Sequence, residues 1–192
     1  MSTGSLRPPV GASEIRRFLE ALGKEFHGRA TLFLVGGATL VFEGLRAETL
    51  DIDLAIEVEP AEHGRLIQAI RALKDRLQVN VEEANPADFI PLPSGARDRG
   101  EWIGEFGQIQ VYHFDLYSTA LSKIDRGTDK DLADVEALLG ARRIEFSTLK
   151  RCYEEILPRF GLESLRQDPE RLKRHFAVIE SRVRGSGAVE GG

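Results

Sequence analysis

One stretch, Leu32–Ile56 (LFLVGGATLVFEGLRAETLDIDLAI), constrains the fold of this chain most. It begins as an apolar strand, turns at the pair Gly36 and Gly37, continues as a short helix, and ends as a strand that carries Asp51 and Asp53. Glycine takes backbone angles that other residues avoid, so the chain can turn sharply there and a ligand can approach the backbone. The first N–H groups of the following helix have no partner in their own helix and favour phosphate.

The two aspartates are spaced so that they share one face of their strand. Residues two apart in a strand point to the same side, so Asp51 and Asp53 project together while Ile52 and Leu54 face the core. Magnesium takes carboxylate oxygens together with the phosphates of a substrate. The sequence therefore predicts that Asp51 and Asp53 hold magnesium beside a phosphate-binding turn.

A hydrophobic residue, Gly-Gly, a spacer and Asp-x-Asp between hydrophobic residues together resemble the signature of the nucleotidyltransferase superfamily, which has the polymerase-beta-like fold. The spacer, Ala38–Leu50, lies at the long end of the family range. Many members have serine where this chain has Ala38, so part of the phosphate contact falls to backbone N–H groups. Asp-x-Asp alone would more often be a strand with two solvated aspartates, and the combination with Gly-Gly favours the family.

The resemblance implies a reaction and a set of site residues. Such an enzyme moves NMP from a nucleoside triphosphate to an acceptor hydroxyl, and two magnesium ions stabilise the attacking and leaving oxygens. Asp51 and Asp53 are the predicted metal ligands and catalytic residues. Gly36 and Gly37 are predicted to bind the nucleotide, and the Thr39 hydroxyl is placed to contact a phosphate.

A third carboxylate usually completes such a site, and two residues compete for the role. Asp88 lies in Ala-Asp-Phe-Ile, a pattern similar to the third motif of the family, and Glu82 ends the predicted strand Gln78–Glu82. We predict Asp88. Glu82 stays open as the alternative because pattern alone does not define strand register at this length.

A second cluster, Leu121–Val135 (LSKIDRGTDKDLADV), resembles a segment of the toxin-type nucleotidyltransferases, the AbiEii-like and MenT-like group. The resemblance implies that Lys123 supplies positive charge to the triphosphate and that Asp131 is a catalytic residue. It also implies the tRNA 3′ end as acceptor and a cognate antitoxin as partner. The alternative is a charged helical surface with local ion pairs of little energetic value.

Periodicity along the rest of the chain predicts an α/β (α+β) fold, a mixed sheet of the minimal nucleotidyltransferase type flanked by helices, with a C-terminal helical extension. The predicted core covers 12–140, the extension 141–184, and flexible tails 1–11 and 185–192. Further strands are predicted at Ala87–Leu92 and Gln108–Tyr112. Predicted helix N-caps are Ser13, Asp115, Asp129 and Asp168.

Composition sets limits on the class of protein. With 42% apolar and 30% charged residues among 192, and no run of eighteen apolar residues, the chain is predicted to form one globular domain without a membrane span. The N-terminus lacks an apolar signal segment and there is a single cysteine, which favours the cytoplasm. The sequence contains no Gly-x-x-x-x-Gly-Lys loop, zinc-ligand spacing or Gly-x-Ser-x-Gly elbow.

Charge and aromatic residues leave further alternatives open. Residues 141–184 carry 11 basic and 7 acidic side chains, and a solvated helix face is the simplest interpretation of this charge. The alternatives are that these helices bind a tRNA acceptor, the acidic half of the chain or an acidic partner. Trp102 and Tyr112 could stack on a base, although aromatic residues near strands more often belong to the core. The acceptor could instead be a small molecule such as an aminoglycoside, or a protein hydroxyl. A non-catalytic binding module with this fold is the third alternative.

Overall fold

The computed structural model describes residues 7–162 and 167–187, and within them two compact units. The first unit comprises the described residues of Met1–Asn85 together with Gly100–Phe114, and the second comprises those of Pro86–Arg99 and Asp115–Gly192. The helices and strands of the first unit are α1 Ala12–Glu25, β1 Ala30–Val35, α2 Gly36–Phe42, β2 Asp51–Val58, α3 Pro60–Leu77, β3 Asn80–Glu83, β4 Glu101–Phe106 and β5 Ile109–His113. Those of the second are α4 Leu116–Arg126, α5 Asp129–Gly140, α6 Phe146–Ile156 and α7 Pro169–Gly187, with 3-10 helices at Pro86–Asp88 and Leu157–Arg159.

The first unit is built on a five-stranded mixed sheet with the strand order β3-β2-β1-β5-β4. Strand β1 runs antiparallel to β2 and parallel to β5, while β3 pairs parallel to β2 and β4 antiparallel to β5. In this register Asp53 of β2 lies opposite Val35 of β1 on one side and Glu82 of β3 on the other. The predicted mixed sheet with flanking helices and a C-terminal helix is confirmed.

One face of the sheet forms the apolar core with α1 and α3. Fully burying a large apolar side chain contributes about 1.5–3 kcal/mol, so this face supplies most of the stability of the unit. The buried residues of the sheet alternate along their strands, and the helices contribute stripes at helical spacing. The main members are Ile15, Phe18, Leu19, Leu22, Leu32, Leu34, Ile52, Leu54, Leu66, Leu73, Val81, Ile109 and Val111.

The opposite face of the sheet is partly or fully exposed and carries the polar and aromatic side chains. We call it the carboxylate face. It consists of the residues that alternate with the core positions, namely Thr31, Phe33, Asp51, Asp53, Ala55, Glu57, Glu82, Trp102, Glu105, Gln110 and Tyr112.

Helix starts follow the predicted capping chemistry at two of four positions. Asp115 accepts hydrogen bonds from the backbone N–H groups of Tyr117 and Ser118 at 3.3 and 3.1 Å, and Asp168 caps α7 in the same manner. The prediction of Asp129 is wrong by one residue, because the Thr128 hydroxyl accepts from the Asp131 N–H.

Ser13 was also the wrong cap for α1, which begins at Ala12 after Gly11. The carboxylate of Glu14 accepts from the Gly11 N–H at 3.0 Å and so satisfies a free donor at the helix start. Glu14, the third residue of α1, thus provides the side-chain hydrogen bond at the helix start, because the N-cap residue Gly11 has no side chain.

Two strand predictions require correction. Ala87–Leu92 is not extended, since Pro86–Asp88 forms a 3-10 helix and turns follow it. The predicted strand Gln108–Tyr112 is observed at Ile109–His113, and the pattern missed its partner β4 altogether. A register irregularity between Trp102 and Gly104 breaks the two-residue period of β4, which removes the signal by which strands are found.

The described ends of the chain are more ordered than the predicted tails. Within the predicted tail 1–11, Val10 pairs with Thr49 and is buried, and Arg7 donates to the Val79 carbonyl at 2.6 Å. The remaining predicted tail residues, 1–6 and 188–192, lie outside the described residues. Among the described helices, none combines the length and apolar character that crossing a membrane requires.

Candidate active site

The glycine pair of the central motif is in close contact with charged side chains. Gly36 has φ of +61°, and a Cβ placed on it would lie 3.0 Å from Oδ2 of Asp53. A Cβ on Gly37 would lie 2.6 Å from the hydroxyl oxygen of Thr49 and 3.2 Å from a guanidinium nitrogen of Arg46. Both positions therefore need glycine, the first for conformation and the second for space.

The two aspartates occupy the predicted alternating positions on β2. Asp51 and Asp53 are partly exposed on the carboxylate face, whereas Ile52 and Leu54 between and after them are fully buried. Two carboxylates therefore share one side of a strand, at the end where β1 passes into the glycine turn. Their role in metal binding and catalysis stays a prediction.

The donor set fits magnesium, with part of the coordination left to substrate. Residues 7–162 and 167–187 contain no group of three or more His, Cys, Asp or Glu side chains arranged to hold a metal ion. Magnesium is commonly bound by one or two carboxylates plus substrate phosphates and water, and Asp51 with Asp53 supplies such a pair. The chain thus offers a partial site that a nucleotide would complete.

The two candidates for a third carboxylate lie in different units. Glu82 is on β3, directly opposite Asp53 and on the same face of the sheet. Asp88 is exposed at the end of the 3-10 helix Pro86–Asp88 in the second unit. Strand pairing therefore brings Glu82 beside the predicted metal ligands, and the catalytic role predicted for Asp88 stays a prediction.

Thr39 has a structural partner. It is fully buried, and its hydroxyl donates to the Leu34 carbonyl at 2.8 Å, which ties the first turn of α2 to the end of β1. Its predicted contact with a phosphate stays a prediction. The hydrogen bond gives the hydroxyl a role in holding the glycine turn.

Arg46 is a candidate site residue that the sequence analysis did not include. It lies in the connection between α2 and β2, and its guanidinium is near Gly37, as the distance to the built Cβ records. A planar guanidinium presents several donors that match phosphate oxygens. In the sequence, Arg46 could be noticed only as the single basic residue of the spacer Ala38–Leu50. Its position beside the glycine turn depends on how the loop folds.

In the second unit, Lys123 is buried and paired with carboxylates. Its side chain is 2% exposed, and its Nζ lies 2.6 Å from Oδ2 of Asp134 and 3.7 Å from Oδ1 of Asp131. Burial lowers the pKa of Lys123, and the hydrogen bond to Asp134 opposes this shift. The predicted contact of Lys123 with a triphosphate stays a prediction, and the ammonium is already bound within its own unit.

Asp131 accepts three side-chain hydrogen bonds from two neighbours in the same cluster. Arg126 donates to both of its carboxylate oxygens at 2.6 and 3.2 Å, and the Thr128 hydroxyl donates at 2.8 Å. Burial by itself raises the pKa of Asp131, but hydrogen bonds from Arg126 and Thr128 outweigh it, so the net shift is downward. The carboxylate therefore remains ionised, which a structural ion pair and a catalytic role both require.

The basic charge of the C-terminal helices is largely paired with acidic residues of the same unit. Arg171 binds Asp125 through two hydrogen bonds from one nitrogen, at 2.8 and 2.9 Å. The other ion pairs are Lys150–Glu180, Arg182–Glu136, Lys173–Glu170 and Arg184–Glu180. Pairing reduces the positive potential that these helices offer to an anionic partner.

A strand, a double-glycine turn, a helix and a second strand with alternating aspartates, built into a mixed sheet, define this chain as a protein of the nucleotidyltransferase superfamily. Residues 14–184 match a family described as nucleotidyltransferase of unknown function (DUF6036), and the chain belongs to that family. Searches of curated proteins and of solved structures returned no match.

Proposed function

We propose that this protein is a magnesium-dependent nucleotidyltransferase that moves NMP from a nucleoside triphosphate to an acceptor hydroxyl. One observation carries the proposal: Asp51 and Asp53 share a strand face, and Asp53 lies against Gly36 at the phosphate-type turn. Membership of a nucleotidyltransferase family supports the reaction class. The two carboxylates are the residues that would hold magnesium, which neutralises negative charge on the transferring group.

Other residues of the first unit are proposed to bind the triphosphate and to accept the proton. Backbone N–H groups at Gly36 and Gly37 and the guanidinium of Arg46 bind the triphosphate. Glu82 accepts the proton of the acceptor hydroxyl. That oxygen forms a bond to the α-phosphorus while the bond from phosphorus to the bridging oxygen breaks, and pyrophosphate leaves with the electron pair.

For the acceptor we propose the 3′ end of tRNA, with the protein acting as the toxin of a toxin–antitoxin pair. The support is the resemblance of Leu121–Val135 to the toxin-type group and the basic composition of residues 141–184. The paired state of Arg171 and its neighbours on α7 weakens the second support. The ion pairing of these basic residues favours a small molecule or a protein hydroxyl as the second candidate acceptor.

The experiment that tests the reaction incubates the purified protein with each α-labelled nucleoside triphosphate, magnesium and total tRNA. Transfer to tRNA by wild type and its loss in Asp53→Asn is the expected result. Glu20→Gln is the control, because Glu20 is an exposed carboxylate on α1 of the same unit, away from the glycine turn and β2. Normal transfer by Asp53→Asn would refute the mechanism.

Parallel reactions with total protein and with a panel of hydroxyl-bearing small molecules identify the acceptor. Label on protein or on a small molecule, with none on tRNA, would retain the chemistry and overturn the acceptor. If nucleoside triphosphate binds with magnesium but no acceptor is labelled, the chain is a binding module and the catalytic proposal fails.

A further inference from the structure

Trp102 is an exposed indole on the carboxylate face, and it is one of the two aromatic residues for which stacking on a base was an alternative to a place in the core. It is the single tryptophan of the chain, it lies on the edge strand β4, and it is 63% exposed. The interpretation of Trp102 as a core residue is therefore wrong. A single exposed apolar side chain is common on protein surfaces, whereas an exposed aromatic residue that continues into further aromatic side chains marks a candidate binding site.

The indole is held in one orientation by its neighbours on the same face. Its Nε1 donates to Oε1 of Gln110 at 3.1 Å, and Nε2 of Gln110 donates to Oε2 of Glu105 at 2.8 Å. The register irregularity between Trp102 and Gly104 increases the local twist and helps to set the direction of the side chain. The polar edge of the ring is thus anchored, which reduces the entropy that binding would cost.

Trp102 begins a row of aromatic side chains that runs across three strands. It lies directly opposite Tyr112 on β5, and the Tyr112 ring lies 5.7 Å from that of Phe33 on β1 with an interplanar angle of 32°. Phe33 is two residues before Val35, which is opposite Asp53 and precedes the glycine turn. The row therefore leads from the edge strand towards the proposed phosphate site.

Space for a ligand adjoins this row. Gln110 and Glu105, which hold the indole, also line a groove of about 910 Å³ on the first unit. Thr31 and Glu57 of the carboxylate face line it as well, and it extends to the start of β1 and the end of β2, where its lining residues are Arg29, Ala30, Val58, Glu59 and Gln108. Small-molecule sites commonly have volumes of about 300–1,000 Å³. Three carboxylates (Glu57, Glu59 and Glu105) and one guanidinium (Arg29) line the groove, so its net negative charge suits the neutral base of a nucleotide better than its phosphates.

We propose that this row binds the nucleobase of the donor nucleoside triphosphate and that Trp102 stacks on it. The inference rests on the proposed function. Glu82, the proposed proton acceptor, lies on β3 at one side of Asp53. The hydroxyl substrate would therefore bind on the β3 side of Asp53, and the nucleotide on the other side, over β1, β5 and β4. Strands are about 4.8 Å apart, so β5 and β4 lie roughly 10 and 14 Å across the sheet from β2, the scale of one nucleotide.

Stacking by an aromatic ring has a consequence for specificity. Every base has a π-face, so stacking tolerates all four bases, and hydrogen bonds to base edges would be needed to select one. The side-chain amide of Gln110 already binds Trp102 and Glu105. We therefore expect the protein to bind the four nucleoside triphosphates with similar affinity.

The test uses the fluorescence of the single tryptophan together with calorimetry. Wild-type protein with magnesium is titrated with each nucleoside triphosphate and with inorganic tripolyphosphate, which has the phosphates and no base. We expect the nucleotides to change the indole emission and tripolyphosphate to bind without changing it. By calorimetry, Trp102→Ala weakens nucleotide binding about 5- to 150-fold and leaves tripolyphosphate affinity unaltered.

Two further variants control for folding and for general loss of apolar surface. Trp102→Phe keeps a smaller ring and is expected to lose less affinity than Trp102→Ala. Leu162→Ala removes another exposed apolar side chain, 79% exposed in the second unit, and is expected to bind as wild type. Circular dichroism of each variant checks that the fold is intact.

The remaining outcomes separate the inference from the function on which it rests. Equal nucleotide affinity of wild type and Trp102→Ala, with tripolyphosphate still bound, would overturn the base site and leave the proposed function standing. If neither nucleotide nor tripolyphosphate binds, the base site and the proposed function are both overturned. A change of emission with single-stranded RNA but not with nucleotide would assign the row to the acceptor and overturn the donor assignment.

Discussion

Gly36 lies directly against Asp53, so that a Cβ on the glycine would stand 3.0 Å from Oδ2 of the aspartate. The glycine also has φ of +61°, a conformation that a side chain makes costly. The turn that is proposed to bind phosphate and the carboxylate that is proposed to bind magnesium are therefore fitted to each other, and a change in one displaces the other.

Gly36→Ala is predicted to lower the rate of nucleotidyl transfer strongly. The loss should exceed the effect of the strained backbone alone. The matched control is Gly44→Ala, because Gly44 has φ of +74° and no atom within 4 Å of a built Cβ. Both variants lose about 1–2 kcal/mol of stability from the left-handed conformation. Only Gly36→Ala displaces Asp53, and a shift of this kind lowers the transfer rate by about 100-fold. Urea unfolding and transfer assays of the pair separate the two effects, and equal activities would contradict the prediction.

Arg46→Gln is predicted to weaken nucleotide binding, since the guanidinium lies beside Gly37. A hydrogen bond to a charged group contributes about 1.5–3 kcal/mol, which corresponds to a loss of roughly 10- to 150-fold in affinity. Arg65→Gln serves as control, because Arg65 forms an exposed ion pair with Glu62 in the same unit. Calorimetric titration with nucleoside triphosphate measures both, and an unchanged affinity of Arg46→Gln would remove this residue from the site.

A comparison of Glu82→Gln with Asp88→Asn identifies the proton acceptor. Glu82 is paired with Asp53 across the sheet, whereas Asp88 is an exposed residue of a 3-10 helix. Loss of a general base costs about 100- to 10,000-fold in rate, so we expect that loss for Glu82→Gln with nucleotide affinity retained. Single-turnover transfer assays decide between the two residues, and the reverse ranking would assign the role to Asp88, as the sequence predicts.

Lys123→Met is predicted to destabilise the second unit strongly. Removal of the ammonium leaves Asp134 buried without its 2.6 Å partner, and breaking a buried pair in this way costs about 3–5 kcal/mol. The double variant Lys123→Met with Asp134→Leu removes both charges and is expected to recover most of the loss. Chemical denaturation measures the free energy of unfolding of all three proteins. Lys173→Met, which breaks an exposed pair with Glu170, is the control and should unfold as wild type.

Asp131 is predicted to contribute to the loss of stability in acid. Its pKa in the folded state is depressed below the unfolded value, so its contribution is complete above the unfolded pKa and disappears as the pH falls through the folded pKa. The unfolded pKa is about 3.9, which puts the loss below roughly pH 4. Urea unfolding of wild type and Asp131→Asn from neutral to acidic pH measures it. The difference in stability between the two proteins should shrink on acidification, and a constant difference would refute the assignment.

The local part of the site was predictable because it depends on short-range geometry. The alternation of Asp51 and Asp53 follows from the strand period, and the glycine turn follows from two residues without side chains. Asp115 and Asp168 were found as caps for a similar reason, since a cap bonds to N–H groups two or three residues away.

Other features could not be predicted from the sequence, because they depend on contacts between segments that are far apart in the chain. Glu82 became the neighbour of Asp53 only through the parallel pairing of β3 with β2. Strand β4 was missed because its irregular register removed the two-residue period, and with it the exposure of Trp102. Arg46 could be seen in the spacer, but its approach to Gly37 depends on the path of the loop.

The sequence by itself determined the class of fold and the chemistry of the central motif, because Gly-Gly and Asp-x-Asp impose their geometry within a few residues. Tertiary structure decided which of these groups have neighbours and which are accessible. It buried Lys123 against Asp134 and left Trp102 in solvent, although both are side chains with a large apolar part and a polar end. The burial of these two side chains depends on packing between elements, and the local pattern of residues around each does not specify it.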